Sequence, residues 1–563
     1  MSDTCGSLVG SGAGARTSSN SGPPDEAAPS GGAASEGVPS GGPASEGAAS
    51  GIDGAGAPHG EPYAAVLESH LSVVLLIGAL ALKFKKPARL PFVDLSTRSA
   101  RRDICLAELD LNRRLTPDVY LGVAELTAPT VPEVAGEPVL VMRRLPDAFR
   151  MTRLLVGGAD LRPALTDVAR QLVALHTAQR PEFRTRLLAN TRRLWSEGRD
   201  QLRRFEPEVL AGEDVDEVAA LADEYLTGRA WLLNDRERRG LVRDGHGDLL
   251  ADDLFCLPDG VRILDCLEFD RSLRVNDVLA DVAFLAMDLR LRGAPEQARF
   301  FVDRYREHSA ENHPLSLEQH YVAYRAFVRA KVECLRHEQG DPEAAGRARQ
   351  LLALALAQLR AARVRLVLIG GLPGSGKSTL AAELAASGPE APEWMLLSSD
   401  AVRRDLCAGS ASAGAGAFGT GNYDPAGTAA TYTELLRRAE LALAAGRSVL
   451  LDASWTSAAQ RPAARELARR SAAVLTEVRC DLPLAACVLR LVARRDPHGS
   501  DADPGVLERM AELAEPWPQA YAVRTDGPVA ATVRVVQELL DRAPVDPAGA
   551  GREESADGSA GGR

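Results

Sequence analysis

The chain has 563 residues, 45% of them hydrophobic and 25% charged, with a formal net charge of -11. This is the composition of a folded soluble protein too long for one domain, and its acidic balance argues against a dedicated nucleic-acid binder. Eight cysteines stand singly, at 5, 105, 256, 266, 334, 407, 480 and 487, with no C-x-x-C pair; they read as reduced thiols of a cytoplasmic protein rather than a disulfide or zinc framework.

Residues 1–60 are mostly Gly, Ala, Ser and Pro, and Pro29-Ser-Gly-Gly-Ala-Ala-Ser-Glu-Gly37 recurs as Pro39-Ser-Gly-Gly-Pro-Ala-Ser-Glu-Gly47. With almost nothing to bury, this tail is expected to be disordered, as is the tail from 544. No basic start leads into an apolar stretch, so no secretory signal is expected. The apolar run 71–82 is shorter than the ~20 residues that span a bilayer. It reads as a buried β-hairpin, with strands at 72–77 and 80–84, and no membrane association is expected.

Lysine occurs only at 83, 85, 86, 331 and 377, against 66 Lys+Arg in all. Three of the five lie in or directly after the second strand of this hairpin. Strand alternation puts Lys83 and Lys85 on the same face and does not separate them; Lys83 directly follows the apolar run and is preferred. A helix is expected at 98–114, strands at 119–125 and 138–143, then long helices interrupted by a loop region at 244–275. Within it, Arg243-Asp-Gly-His-Gly-Asp248-Leu-Leu-Ala-Asp-Asp253 places two carboxylates five residues apart. That is the spacing of base and metal ligand in protein-kinase-like catalytic loops. A strand-like stretch ending in Asp265 follows.

A helix at 344–363 is expected to join this block to a second one. There strands at 366–369, 395–398, 448–451 and 473–479 alternate with helices at 379–387, 426–445, 457–470, 483–494, 503–513 and 530–542, the pattern of a parallel sheet wrapped by helices. Gly371-Leu-Pro-Gly374-Ser375-Gly376-Lys377-Ser378-Thr379 between the first strand and its helix is a complete P-loop. Its backbone N–H groups cradle phosphates, Lys377 reaches the β- and γ-phosphates, and the Ser378 hydroxyl binds Mg²⁺. Asp400 and Asp452 are expected at strand ends, where ligands of open parallel sheets bind. Asp400 is the candidate to deprotonate an acceptor hydroxyl, with a helix N-cap as its structural alternative. Asp452 is the candidate Mg²⁺ carboxylate. Arg490 and Arg494, on a basic helix, could close over phosphates or simply face solvent.

The second block resembles the P-loop small-molecule kinases of the gluconate-, shikimate- and adenylate-kinase type. Leu-Leu-Ser-Ser-Asp400-Ala-Val-Arg403, Val-Leu-Leu-Asp452-Ala-Ser-Trp and Ser500-Asp-Ala-Asp503 also match the ATP-binding half of a two-part bacterial family. His246-Gly-Asp248 with the downstream Asp265, and Asp277-Val-Leu-Ala-Asp281, resemble the aminoglycoside phosphotransferases. Both halves in this order resemble the bifunctional aminoglycoside phosphotransferase/ATP-binding proteins over roughly residues 61–540. The resemblance implies a protein-kinase-like fold at 61–360 and a P-loop fold at 361–543. In the first, Lys83 would bind phosphate, Glu108 would be its ion-pair partner, Asp248 the base, and Asp253 and Asp265 metal ligands. It further implies ATP and Mg²⁺, and a small-molecule hydroxyl as acceptor. Two departures stand out: Asp253 replaces the family's Asn, and no G-x-G-x-x-G loop precedes the lysines. A degenerate first block that regulates a P-loop ATPase is therefore the alternative.

Overall fold

The computed structural model describes residues 60–69, 71–90, 93–127, 136–386, 393–408, 425–493 and 504–542. All of these belong to one compact unit, Gly54–Arg563. The tails expected at 1–60 (Gly60 apart) and from 544, together with Arg494, Arg495 and residues 500–503, lie outside the described residues.

The chain enters an antiparallel sheet of β1 (Ala64–Glu68), β2 (Ser72–Ile77) and β3 (Leu80–Lys85), later completed by β6 (Tyr120–Glu125) and β7 (Pro138–Arg143); the spatial order is β1-β2-β3-β7-β6. A two-residue turn pairs Ile77 with Leu80, so the expected hairpin forms. It is half-buried rather than buried, with Ile77 and Leu80 exposed. Helix Arg98–Arg113 covers one face of this sheet, around a core of Ala81, Cys105, Leu109, Tyr120, Leu140 and Met142. Thr97 starts that helix by accepting a hydrogen bond from the Ala100 N–H. A minor hairpin, β4 (Arg89–Leu90) with β5 (Val93–Asp94), lies between.

A helical region follows. Helix Val278–Leu291 is buried over nearly its whole length and is apolar on almost every side, as a helix at the centre of a core must be. Helices Pro295–Ser309 and Leu315–Glu338 pack against it, and helix Arg162–Ala178 packs in turn on Pro295–Ser309. Two short antiparallel pairs frame the loop region: β8 (Val242–Asp244) with β11 (Val275–Asp277), and β9 (Leu254–Leu257) with β10 (Gly260–Ile263).

The second sheet is parallel throughout. Its order is β13 (Trp394–Ser398), β14 (Ser448–Asp452), β12 (Arg365–Gly370), β15 (Val474–Asp481) and β16 (Tyr521–Arg524). Alternation along β12 builds a three-layer sandwich. Val367 and Ile369 pack with Leu380 and Leu384 of helix Lys377–Ala385 and with Val536 and Leu540 of helix Val529–Asp541. Leu366 and Leu368 pack with Leu435 and Ala439 of helix Pro425–Ala444 and Leu467 of helix Arg461–Arg470.

Helix Ala344–Ala362 leads directly into β12 and lies against Leu315–Glu338. The two halves meet at the amino-terminal ends of the parallel strands. Arg229 is buried and donates to the backbone carbonyls of Ser471 and Ala472, just before β15. A side chain at Gly228 would place its Cβ 2.4 Å from the Ser471 oxygen, so only glycine permits this approach. The Ser316 hydroxyl donates to the Gly446 carbonyl, just before β14, at 2.6 Å.

Candidate functional site

The opposite, carboxyl-terminal end of the parallel sheet carries the P-loop. Gly371, Gly374 and Gly376 have φ of 144°, 78° and 91°, backbone geometry that L side chains resist and that lets the loop curl before helix Lys377–Ala385 begins. The Thr525 hydroxyl, next to β16, donates to the Ser375 carbonyl at 2.6 Å. Arg490, on helix Leu484–Ala493, donates to the Thr525 carbonyl at 2.7 Å. The loop is thus tied to the next two crossovers rather than free.

Above it opens a cavity of about 540 Å³, within the range of small-molecule sites. Gly374, Gly376, Lys377, Ser378, Asp400 and Asp452 are among the residues lining it, with Arg404, Arg490 and Thr525. Lys377 has no hydrogen bond or ion pair among the described residues. The Ser375 hydroxyl is buried without a partner. An unpaired ammonium and helix-start N–H groups in one cavity fit a polyphosphate. Ser378 is exposed to the cavity, and Asp452 lies at the carboxyl end of β14; hydroxyl and carboxylate are the hard oxygens that suit Mg²⁺. Cys480 lies close to both Lys377 and Asp452, and burial pushes its thiol up to about 12, so it stays protonated and chemically quiet.

Asp400 differs from the sequence expectation in its local structure. β13 ends at Ser398, and Asp400 is the second residue of helix Ser399–Ala408, neither a strand end nor the N-cap. Its N–H donates to the Ser398 hydroxyl at 3.3 Å. Its carboxylate faces the cavity and accepts from Arg403 at 2.7 Å. Strands β16 and β1 were not among the expected elements, and a helix after Asp400 was expected only as the alternative in which Asp400 is its N-cap. Arg404, beside Arg403 in the sequence, was given no role there; nothing in a run of two arginines says which of them packs and which lines a cavity.

The first half brings its candidates together too. Lys83 lies 2.7 Å from Glu108 Oε1 and 2.6 Å from Asp265 Oδ1; Lys85 lies 2.6 Å from Glu108 Oε2 and 2.5 Å from Glu268 Oε1. Both lysines share Glu108, but only Lys83 reaches Asp265. Burial pulls the Lys83 ammonium down, yet the Asp265 and Glu108 carboxylates outweigh it and hold it well above its ordinary value. Burial would raise Asp265, but Lys83 brings it down to about 2. Asp265 is held at φ 63°, in the left-handed region, with its N–H on the Tyr120 hydroxyl at 3.1 Å.

The His-Gly-Asp loop is fixed from below. Asp281, in the first turn of helix Val278–Leu291, accepts from the N–H groups of His246 and Gly247 at 2.7 Å each and pairs with His176 Nε2 at 3.1 Å. Burial keeps the His246 ring neutral. Its Nε2 donates to the Leu264 carbonyl, leaving Nδ1 to accept from the Asp248 N–H. Burial raises the Asp248 carboxyl, partly countered by Arg329, whose Nη1 lies 3.6 Å away. Asp253 is raised well above its ordinary value, by burial first and then by Asp265 and Asp248. The three carboxylates are therefore neighbours. Among the described residues, however, no group of three or more His, Cys, Asp or Glu side chains is arranged to hold a metal ion. No helix among the described residues is long and apolar enough to cross a membrane.

Residues 366–517 match the family model described as an AAA domain. The uncharacterized protein Rv2004c of Mycobacterium tuberculosis (strain ATCC 25618 / H37Rv) is 39% identical over 474 residues, covering 83% of this chain and 93% of that protein. The uncharacterized protein Mb2027c of Mycobacterium bovis matches with the same identity and coverage. Among solved structures, a putative kinase from Chloroflexus aurantiacus aligns with a TM-score of 0.25 at 21% identity, over 32% of this chain and 98% of that one. A choline/ethanolamine kinase family protein from Mesorhizobium loti aligns with a TM-score of 0.34 at 16% identity, over 54% of this chain and 93% of that one.

Proposed function

This chain belongs to the same family as the two mycobacterial proteins, and from that premise we propose that it is an ATP-dependent phosphotransferase acting through its P-loop half. Its two domains would be residues 61–360 and 361–543. The observation that carries the reading is the cavity over the P-loop, with an unpaired Lys377 at one place and the Asp400 carboxylate at another. Lys377 and the loop N–H groups bind the β- and γ-phosphates of ATP. Ser378 and Asp452 would hold Mg²⁺, which supplies charge neutralisation on the phosphate oxygens. Arg490 stands over the loop; a Cβ at Gly376 would lie 3.3 Å from its Nη1.

Asp400, steadied by Arg403, takes the proton of an acceptor hydroxyl. The hydroxyl oxygen forms a bond to the γ-phosphorus, the bond from that phosphorus to the β–γ bridging oxygen breaks, and ADP leaves with the electron pair. General-base assistance of this kind is worth roughly 10²–10⁴ in rate. The acceptor is a small molecule rather than nucleic acid, and the setting is cytoplasmic.

A second reading is favoured by the first half. There the candidate phosphate lysine is engaged by Glu108 and Asp265, and Asp253 is pushed toward its protonated form. That half would then bind a ligand and regulate the P-loop half without phosphoryl transfer of its own. ATP consumption by the full chain, with and without a library of small hydroxyl compounds, tests both. A kinase accelerates only when an acceptor is present; a regulatory ATPase turns over without one.

A further inference from the structure

We propose that the phosphate acceptor of the P-loop half is itself an anion: a hydroxyl compound carrying a carboxylate or a phosphate, held by Arg404. The inference rests on the reading of the cavity as an ATP site and adds the chemical class of the second substrate.

Strand order orients the cavity. The P-loop follows β12, in the middle of the sheet. Asp452 ends β14, so a metal shared by Ser378 and Asp452 lies on the β14 side of the loop, and the γ-phosphate must lie there with it. The remainder of the nucleotide then runs the other way, toward Thr525, Gly527 and Val529 beyond β16, which line the opposite end. Leu396, Ser398, Asp400 and Arg404 belong to β13 and the helix after it, on the far side of β14. They stand beyond the γ-phosphate, where an acceptor has to be.

Three arginines border the cavity region, and their engagements differ. Arg490 lies over the P-loop and is fixed to the Thr525 carbonyl. Arg403 and Arg404 are three and four residues after Asp400, so both project toward its side of the helix. Arg403 is mostly buried and bonds the Asp400 carboxylate. Arg404 is exposed, lines the cavity, and has no hydrogen bond or ion pair among the described residues. Lys377 and Arg490 already meet the phosphates, and Arg403 already balances Asp400. A neutral or cationic acceptor would make no use of the Arg404 guanidinium, which would stay solvated at the cavity wall. A carboxylate or phosphate on the acceptor would be gripped by it in a two-pronged hydrogen bond, with the hydroxyl left to Asp400.

The experiment uses the full chain saturated with a non-hydrolysable ATP analogue and Mg²⁺, titrated calorimetrically with glycerol, glycerate, glycerol 3-phosphate and inorganic phosphate. At least one anion is expected to bind with one site per chain, and glycerol not at all; the ranking of glycerate against glycerol 3-phosphate separates carboxylate from phosphate. Arg404→Ala should weaken that anion at least tenfold, and Arg404→Lys by less, while the affinity for the ATP analogue moves less than threefold. The proposal is overturned if no anion binds the loaded protein, if glycerol binds as well as the anions, or if Arg404→Ala binds the anion like the parent. Parallel loss of nucleotide and anion in Arg404→Ala overturns it too, by assigning Arg404 to the ATP phosphates. If the parent chain does not bind the ATP analogue at all, the nucleotide reading fails first, and this proposal with it.

Discussion

Lys83 and Lys377 are two of only five lysines in the chain, and the fold surrounds them in opposite ways. Lys83 is pinned between Glu108 and Asp265, with Lys85 and Glu268 completing a network of two ammonium groups and three carboxylates that is buried at Glu108 and Lys85 and reaches solvent at Asp265. Lys377 projects into an open cavity with no carboxylate on it. An ammonium has three N–H donors, so a paired lysine can still meet a phosphate with what its partners leave. In the first half Glu108 and Asp265 already share Lys83 with any ligand; in the P-loop half no described carboxylate shares Lys377. The same contrast holds for the carboxylates. Asp400 is hydrogen-bonded by one arginine at the edge of a cavity, whereas Asp253 is held toward neutrality by burial first and then by Asp265, Asp248 and Asp252.

The sharpest way to break this comparison is to delete each centre in turn. Lys377→Ala should lower ATP turnover at least 100-fold without a change in Tm, and Asp248→Ala should leave it within about threefold; the reverse pattern would move the chemistry to the first half. Next in size, Asp400→Asn should lower kcat by about 10²-fold while nucleotide affinity stays within a few-fold, the mark of an interaction made in the transition state. Loss of affinity at unchanged kcat would instead put Asp400 in the nucleotide shell. Glu108→Gln tests the closed network. It leaves two buried ammonium groups short of a charge and should cost about 3 kcal/mol in denaturant unfolding; a neutral effect would mean that the pairs are not formed.

The smallest effect concerns acid. His320 is buried between Tyr225 and Trp195 with neither ring nitrogen partnered, and burial brings it down to about 3. The unfolded chain, with an ordinary histidine near 6.5, takes up this proton first. Stability therefore falls as pH drops from about 6.5 toward 3 and is fully present above that window. His320→Phe removes this proton uptake, so its Tm should decline less steeply than the parent's between pH 6.5 and 4. Equal slopes would show that the ring finds a partner in the folded protein.

The P-loop was legible because its chemistry is contiguous: the eight residues Gly371 to Ser378, a strand and a helix specify it. The parallel sheet was legible from β-branched runs alternating with helical periods. The four-residue β16 and the Ala-rich β1 carried too little pattern to register. Asp400 was legible as a carboxylate near the site, but the Ser398-Ser399 pair hid the fact that the helix begins one residue before it. Lys83 and Lys85 are equivalent by alternation, and only the reach of Asp265 from a distant loop tells them apart. Arg329 beside Asp248 and the free Arg404 had no sequence signal, since arginine is common everywhere in this chain and only packing decides which guanidinium is engaged.

The joint between the halves has a mechanical consequence. Arg229, Gly228 and Ser316 all grip the sheet at its amino-terminal edge, through backbone carbonyls that cannot rotate away. The parallel sheet is thus mounted on the helical region like a blade in a handle, with the P-loop cavity at the opposite end. In the proposed reaction, movement around the substrates would fall to the segments at that end, the helices bearing Asp400 and Arg490 among them. An insertion or fusion placed at the grip would rattle the whole blade, whereas one at the opposite end would disturb the cavity alone.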